Sequence, residues 1–178
     1  STSTADTTGG ASTTTAASTT TAPLTVRVAP DGSGDAPDLA AAVRLVAAGG
    51  TIILDSGEHL LAAPLEIDKP LTIRTESGPA DVVGDQPPYL LRFAGSGSLT
   101  LERVSFRYEG TEAADGLVIE GGTLTFVDVE VTGAVRVEPD QSDPAAEGAG
   151  GTGFLIRGDA AGTMDRCRAA DNQLHGFA

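Results

Sequence analysis

The side chains best equipped for chemistry gather in the last third of the chain: Asp128, then Asp165, Arg166, Arg168 and Asp171, with His175 just ahead of a glycine. Carboxylates accept hydrogen bonds, and guanidinium groups offer planar paired donors that match carboxylates and hydroxyls. Together they suit recognition of a polar ligand, or general acid–base chemistry. Glycoside cleavage by paired carboxylates needs two acids on opposite sides of one bond, and the sequence contains no Asp-Asp pair. Glycine recurs at Gly116 and Gly153 in the same local pattern as Gly176, without a histidine before it, so His175 reads as a turn residue. Glu102, Asp128 and Asp165 fall near the same part of successive repeats and are expected to form an outward-facing carboxylate ladder. Alternation alone also puts polar residues on the solvent face of any strand, and for these acids that is the favoured reading.

The other reactive residue types read as structural. His59 follows Gly57 and Glu58 and is expected to pack. Cys167 aligns with the inward positions Val104 and Val129, as a small core residue rather than a nucleophile. Asn172 is expected in an asparagine ladder that satisfies turn amides. The acidic stretch from Glu138 to Glu147 reads either as a binding loop or as a tolerated surface insertion.

Composition narrows the classes. Twenty-five acidic residues against eleven basic ones give a net charge of −14. That charge repels phosphate backbones and anionic lipid, so neither nucleic acid nor a membrane surface is expected as a partner. No apolar run is long enough for a membrane span. Of 178 residues, 40% are apolar and 4% aromatic, with no Trp, so the core must be aliphatic. The single cysteine cannot form an internal disulfide, which leaves burial and hydrogen bonding to hold the fold.

Two regions follow. Residues 1–22 are nearly all Ser, Thr, Ala and Gly, unable to offset the entropy of ordering, and read as a disordered linker or as the stalk of an extracellular or cell-surface protein. Residues 23–178 read as one folded domain. Asp38 is placed to cap a helix from Leu39 to Ala48, with Leu39, Ala42, Val43 and Val46 on one face and Gly49-Gly50 as its stop. Short strands are expected at Thr51–Leu54, Leu65–Ile67, Leu71–Arg74, Leu90–Phe93, Leu99–Phe106, Leu117–Glu120, Leu124–Val131 and Phe154–Arg157. The segment Thr100 to Phe106 reappears as Thr125 to Val131, 25 residues on, and as Thr163 to Ala169, a further 38 on. The longer step is explained by a loop inserted after Glu138. Repeats of this length without intervening helices predict an all-β, right-handed parallel β-helix solenoid with one short N-terminal capping helix. The domain reads as cut short at its C-terminal end, where a new strand begins, and the uncovered coil there suggests end-to-end self-association.

The opening Val28-Ala29-Pro30-Asp31-Gly32-Ser33-Gly34-Asp35, the helix after it and the segment from Thr51 to Arg74 resemble the start of pectin methylesterases and pectate-lyase-like β-helix proteins. The end, Cys167 to Phe177, resembles the generic β-helix repeat of carbohydrate-binding proteins and sugar hydrolases. The resemblance implies a fold more than a reaction, since the matched residues build turns, cap and core. Pectin methylesterase signatures, including an Arg-Pro-Trp segment, are missing. Lyases of this fold hold Ca²⁺ with acidic side chains and use Arg or Lys as base or clamp; by that resemblance Asp128, Asp165, Arg166, Arg168 and Asp171 become candidates, and Ca²⁺ is the one cofactor the resemblance allows, none being expected otherwise. Three functions remain open: a non-catalytic module presenting a surface to a polysaccharide or protein partner, the N-terminal part of a polysaccharide lyase or hydrolase, and a structural stalk or filament segment. The first is favoured.

Overall fold

The computed structural model describes residues 21–138 and 149–178. Most of the Ser/Thr-rich tract of residues 1–22, and all but Glu138 of the acidic loop, lie outside the described residues. Strand β1 (Thr25–Val28) leads into helix α1 (Leu39–Leu45), and five coils follow, each with one strand in each of three sheets. They are β2 (Gly50–Leu54), β3 (Gly57–Leu61) and β4 (Leu65–Ile67); β5 (Leu71–Thr75), β6 (Ala80–Gly84) and β7 (Tyr89–Phe93); and β8 (Ser98–Glu102), β9 (Val104–Tyr108) and β10 (Asp115–Ile119). The fourth coil holds β11 (Thr123–Val127), β12 (Glu130–Thr132), a short antiparallel pair β13 (Arg136–Val137) and β14 (Ala149–Gly150), then β15 (Thr152–Ile156). The fifth is β16 (Ala161–Asp165), β17 (Arg168–Ala170) and β18 (His175–Phe177).

Corresponding strands stack into three parallel sheets. The first runs β1-β2-β5-β8-β11-β16, the second β3-β6-β9-β12-β17 and the third β4-β7-β10-β15-β18. Parallel neighbours need a long crossover; here the other two strands of the coil serve as that crossover, so no helix is required. The chain is an all-β parallel β-helix with one short helix, as its repeats predict.

Gly50, Leu71, Leu99, Leu124 and Gly162 stand in one row, so successive coils take 21, 28, 25 and 38 residues. The 25-residue spacing therefore holds for a single step. Strand register is constant and the corners absorb the differences, with the largest insertion at the corner between the second and third sheets, closed by β13 and β14.

Alternate residues point inward and stack coil on coil. Ile52, Ile73, Leu101 and Phe126 form one such column and Leu65, Leu91, Leu117 and Phe154 another, all buried. Each such side chain contributes about 1.5–3 kcal/mol on burial, and none does so without a coil on both sides. Helix α1 covers the N-terminal edge of this core with Leu39, Ala42 and Val43. Asp38 caps it by accepting from the Ala41 amide at 2.6 Å. The helix ends at Leu45, three residues before the expected Ala48. The Val46 carbonyl accepts from Lys69 Nζ at 2.5 Å and the Ala47 amide donates to the Pro23 carbonyl at 2.8 Å, so neighbouring coils take the groups that another helical turn would use.

Two expected strands, Leu99–Phe106 and Leu124–Val131, are each two strands. Arg103 and Asp128 adopt left-handed conformations with φ of 57° and 54°, and Arg166 does so with 51° in the next coil. These three residues occupy the same corner of successive coils, directly after the register partners Glu102, Val127 and Asp165. One left-handed residue turns the chain from the first sheet to the second while the ladder continues, with the Arg103 amide donating to Val127 and the Asp128 amide to Asp165.

Candidate functional site

The six residues singled out in the sequence are spread over two corners and all three sheets of the solenoid. Asp128 and Arg166 meet at the corner between the first and second sheets, where Arg166 Nε donates to Oδ1 at 2.6 Å and Nη2 to Oδ2 at 2.8 Å. Arg166 Nη1 also donates to Asp165 Oδ2 at 2.5 Å. The guanidinium beside Asp128 holds its carboxyl below the usual carboxylate range. Arg168 lies across the second sheet on Glu130 at 2.6 Å. Asp171 sits on the next corner with φ of 55°. His175 is the first residue of β18, paired with Thr152 in the third sheet and exposed, rather than a turn residue.

The carboxylate ladder does not form as expected. Glu102, Val127 and Asp165 are the register partners, and Asp128 lies one place on, between Arg103 and Arg166. Asp128 stands 26 residues after Glu102, whereas the register step between these coils is 25, so it falls one place past the row. Two acids that would have to share a cation are instead both turned on Arg166. Ca²⁺ takes six to eight oxygen ligands, and among the described residues no three His, Cys, Asp or Glu side chains converge to hold a metal ion.

The residues read as structural are so. His59 is buried, and its ring Nε2 donates to the Asp55 carbonyl at 2.8 Å. Cys167 is half-buried and packs against the core beneath the corner; burial pushes its thiol pKa up. Asn172 accepts from the Ala134 amide at 3.0 Å and donates to the Val131 carbonyl at 3.2 Å. It satisfies turn amides as expected, as a single rung rather than a ladder among the described residues.

A larger polar cluster, missed in the sequence, lies on the outer face of the third sheet. Glu66 at the centre of β4 pairs in register with Arg92 of β7, and Arg92 with Val118 of β10. Glu120 and Arg157 follow the ends of β10 and β15. Arg92 donates from Nε to Glu120 Oε2 at 2.8 Å and from Nη2 to the same oxygen at 2.5 Å, and its Nη1 reaches Glu66 Oε2 at 3.4 Å. Arg157 Nε donates to Glu120 Oε1 at 3.1 Å, and the Tyr89 hydroxyl donates to Glu66. Hydrogen bonds from Arg92, then Arg157, hold the Glu120 carboxyl below the ordinary range, and Glu120 in turn raises Arg92. Burial raises Tyr89, with Glu66 adding to it. Side chains from four consecutive coils thus form one hydrogen-bonded row across an open sheet, with outward-facing Val118 almost wholly covered beneath it.

Only the register could have revealed this row. Glu66 and Arg92, Arg92 and Glu120, and Glu120 and Arg157 are separated by 26, 28 and 37 residues, so no fixed period connects them.

The chain matches no known protein family, no characterised protein and no solved structure. No helix among the described residues is long and apolar enough to cross a membrane.

Proposed function

We propose that this chain is a non-catalytic β-helix module of an extracellular protein and that it binds a polysaccharide along the outer face of its third sheet. The observation that carries the reading is the row Tyr89, Glu66, Arg92, Glu120 and Arg157, which crosses four coils. Strands in a sheet lie about 4.8 Å apart, so a polymer laid across them meets a fresh set of donors and acceptors on each coil. The row offers planar guanidinium donors, carboxylate acceptors and one aromatic face, the groups that recognise sugar hydroxyls and ring faces. The resemblance of the opening segment to pectate-lyase-like proteins and the stalk-like composition of residues 1–22 support a glycan partner and an extracellular setting.

A second reading has one observation in its favour. Glu66 and Glu120 both hydrogen-bond to Arg92, and two carboxylates flanking a bound sugar can act as acid and base. In that reading the chain contributes to a glycoside hydrolase.

One experiment separates the two. The protein is incubated with acidic and neutral polysaccharides, with and without Ca²⁺, and both retention and release of shorter products are scored. Retention without products, weakened about tenfold or more by Arg157→Ala, supports the binding module. Release of products that stops with Glu120→Gln establishes the hydrolase instead. Absence of retention across the panel overturns the glycan reading.

A further inference from the structure

The corner between the second and third sheets carries a groove unrelated to the polar row. A recess of about 300 Å³, floored by Leu60 and Val83 and rimmed by Asp85 and Glu109, opens beside β3 and β6. It adjoins a second recess of about 310 Å³ that shares Asp85 and Glu109 and ends at Glu112. Leu60 and Val83 are register partners on the outer face. Leu60 is 67% exposed, second only to Leu24 among the large apolar side chains of the described residues, whereas Val83 is 3% exposed. The outward Leu60, among charged neighbours, forms an apolar step that has no covering element among the described residues.

The charge around this step is one-sided. Glu58, Asp81, Asp85, Glu109 and Glu112 surround it, and the cation in register with Val83, Arg107, is already engaged by Glu58 at 3.0 Å and Glu109 at 2.6 Å. Asp85 Oδ1 accepts from the neighbouring Gln86 amide at 2.9 Å, and neither Asp85 nor Glu112 has an ion-pair partner among the described residues. The loop of the second recess packs tightly on its neighbours: a Cβ on Gly110 would lie 2.2 Å from the Tyr108 hydroxyl oxygen and 2.5 Å from the Asp85 carbonyl oxygen.

We propose that this groove docks an extended, basic segment of a partner protein, with an aliphatic side chain on Leu60 and Val83 and lysine or arginine side chains beside Asp85 and Glu112. Charge complementarity selects the occupant, since an apolar floor without an aromatic face is a poor match for a sugar, and unpaired carboxylates repel an acidic ligand. The surface is independent of the glycan face, so either can fail without the other.

The test titrates the protein with a fluorescein-labelled octapeptide alternating lysine and leucine, at low and at physiological salt, beside a peptide with glutamate in place of lysine. The lysine peptide is expected to bind and the glutamate peptide not to. Leu60→Ser, at an exposed site where folding is unaffected, is expected to weaken binding about tenfold, and so is Asp85→Asn combined with Glu112→Gln. The pair Asp68→Asn with Glu102→Gln makes the same change in net charge away from the groove and is expected to leave affinity within about twofold. Equal weakening by both charge pairs, or full affinity in Leu60→Ser, would show diffuse electrostatic attraction and overturn the site. Absence of binding by the lysine peptide overturns it as well.

Discussion

Two buried rings provide a quantitative test of how the coils support one another. Phe106 and Phe126 are both fully buried, yet their surroundings differ. Phe106 lies in register between Val82 and Val131, buried β-branched residues with restricted rotamers. Phe126 lies between Leu101 and Met164, and its ring is 6.3 Å from that of Phe154 in a tilted arrangement. Phe→Ala in a core costs about 3–5 kcal/mol, with the value set by how far the cavity collapses. Stiff valines leave the Phe106 cavity open, which puts Phe106→Ala near the upper end, at about 5 kcal/mol. Met164 is half-buried and has three rotatable bonds, so it refills part of the other cavity. Loss of the ring pair, worth about 0.5–1.5 kcal/mol, cancels some of that gain, and Phe126→Ala comes to about 3–4 kcal/mol. Urea unfolding followed by circular dichroism measures both, because the chain has no Trp to report by fluorescence. Unchanged slopes would confirm that stability alone has moved. A loss for Phe126→Ala equal to or greater than that for Phe106→Ala, or below about 1 kcal/mol for either, would refute the reasoning.

Two further predictions concern titratable groups. Glu120 is held below its ordinary pKa by Arg92 and Arg157. A carboxylate with a lower pKa when folded stabilises the protein at every pH above its unfolded value, and that contribution drains away as pH falls through the folded value. Wild-type urea midpoints are therefore expected to fall more steeply below about pH 4.3 than those of Glu120→Gln, and parallel acid slopes would sink the idea. Burial raises the Cys167 thiol, so at neutral pH it is expected to react with a disulfide reagent more slowly than the same cysteine in urea; equal rates would mean that the corner does not shield it.

Much of the fold was legible because a solenoid writes its register into local sequence. The match of Thr100, Thr125 and Thr163 predicted from the repeats is the pairing that the first sheet adopts, and the Gly-apolar recurrence at Leu117, Phe154 and Phe177 is the register of the third. The strands β3 and β6 were missed because Glu58-His59-Leu60 and Asp81-Val82-Val83 lack a clean alternation and lie among Gly and Pro. The corners were missed for a different reason. Arg103 and Arg166 are left-handed although Arg is not a type that announces such a turn, and Asp128, which is, has no Asp, Asn or Gly at the matching corner of either neighbouring coil. Stacking on the coils above and below holds them there.

The sequence by itself determined the all-β class, the parallel stacking, the helix cap at Asp38 and the inward aliphatic columns, because each follows from periodicity or from contacts within a few residues. Only the tertiary structure decided which charged side chains meet. Coils of 21, 28, 25 and 38 residues bring Glu66, Arg92, Glu120 and Arg157 onto one face and separate Asp128 from Asp171 and His175. The physical reason is that backbone hydrogen bonding between coils fixes strand register while the corners take up chain of any length, so neighbourhood across the stack is independent of distance along the sequence.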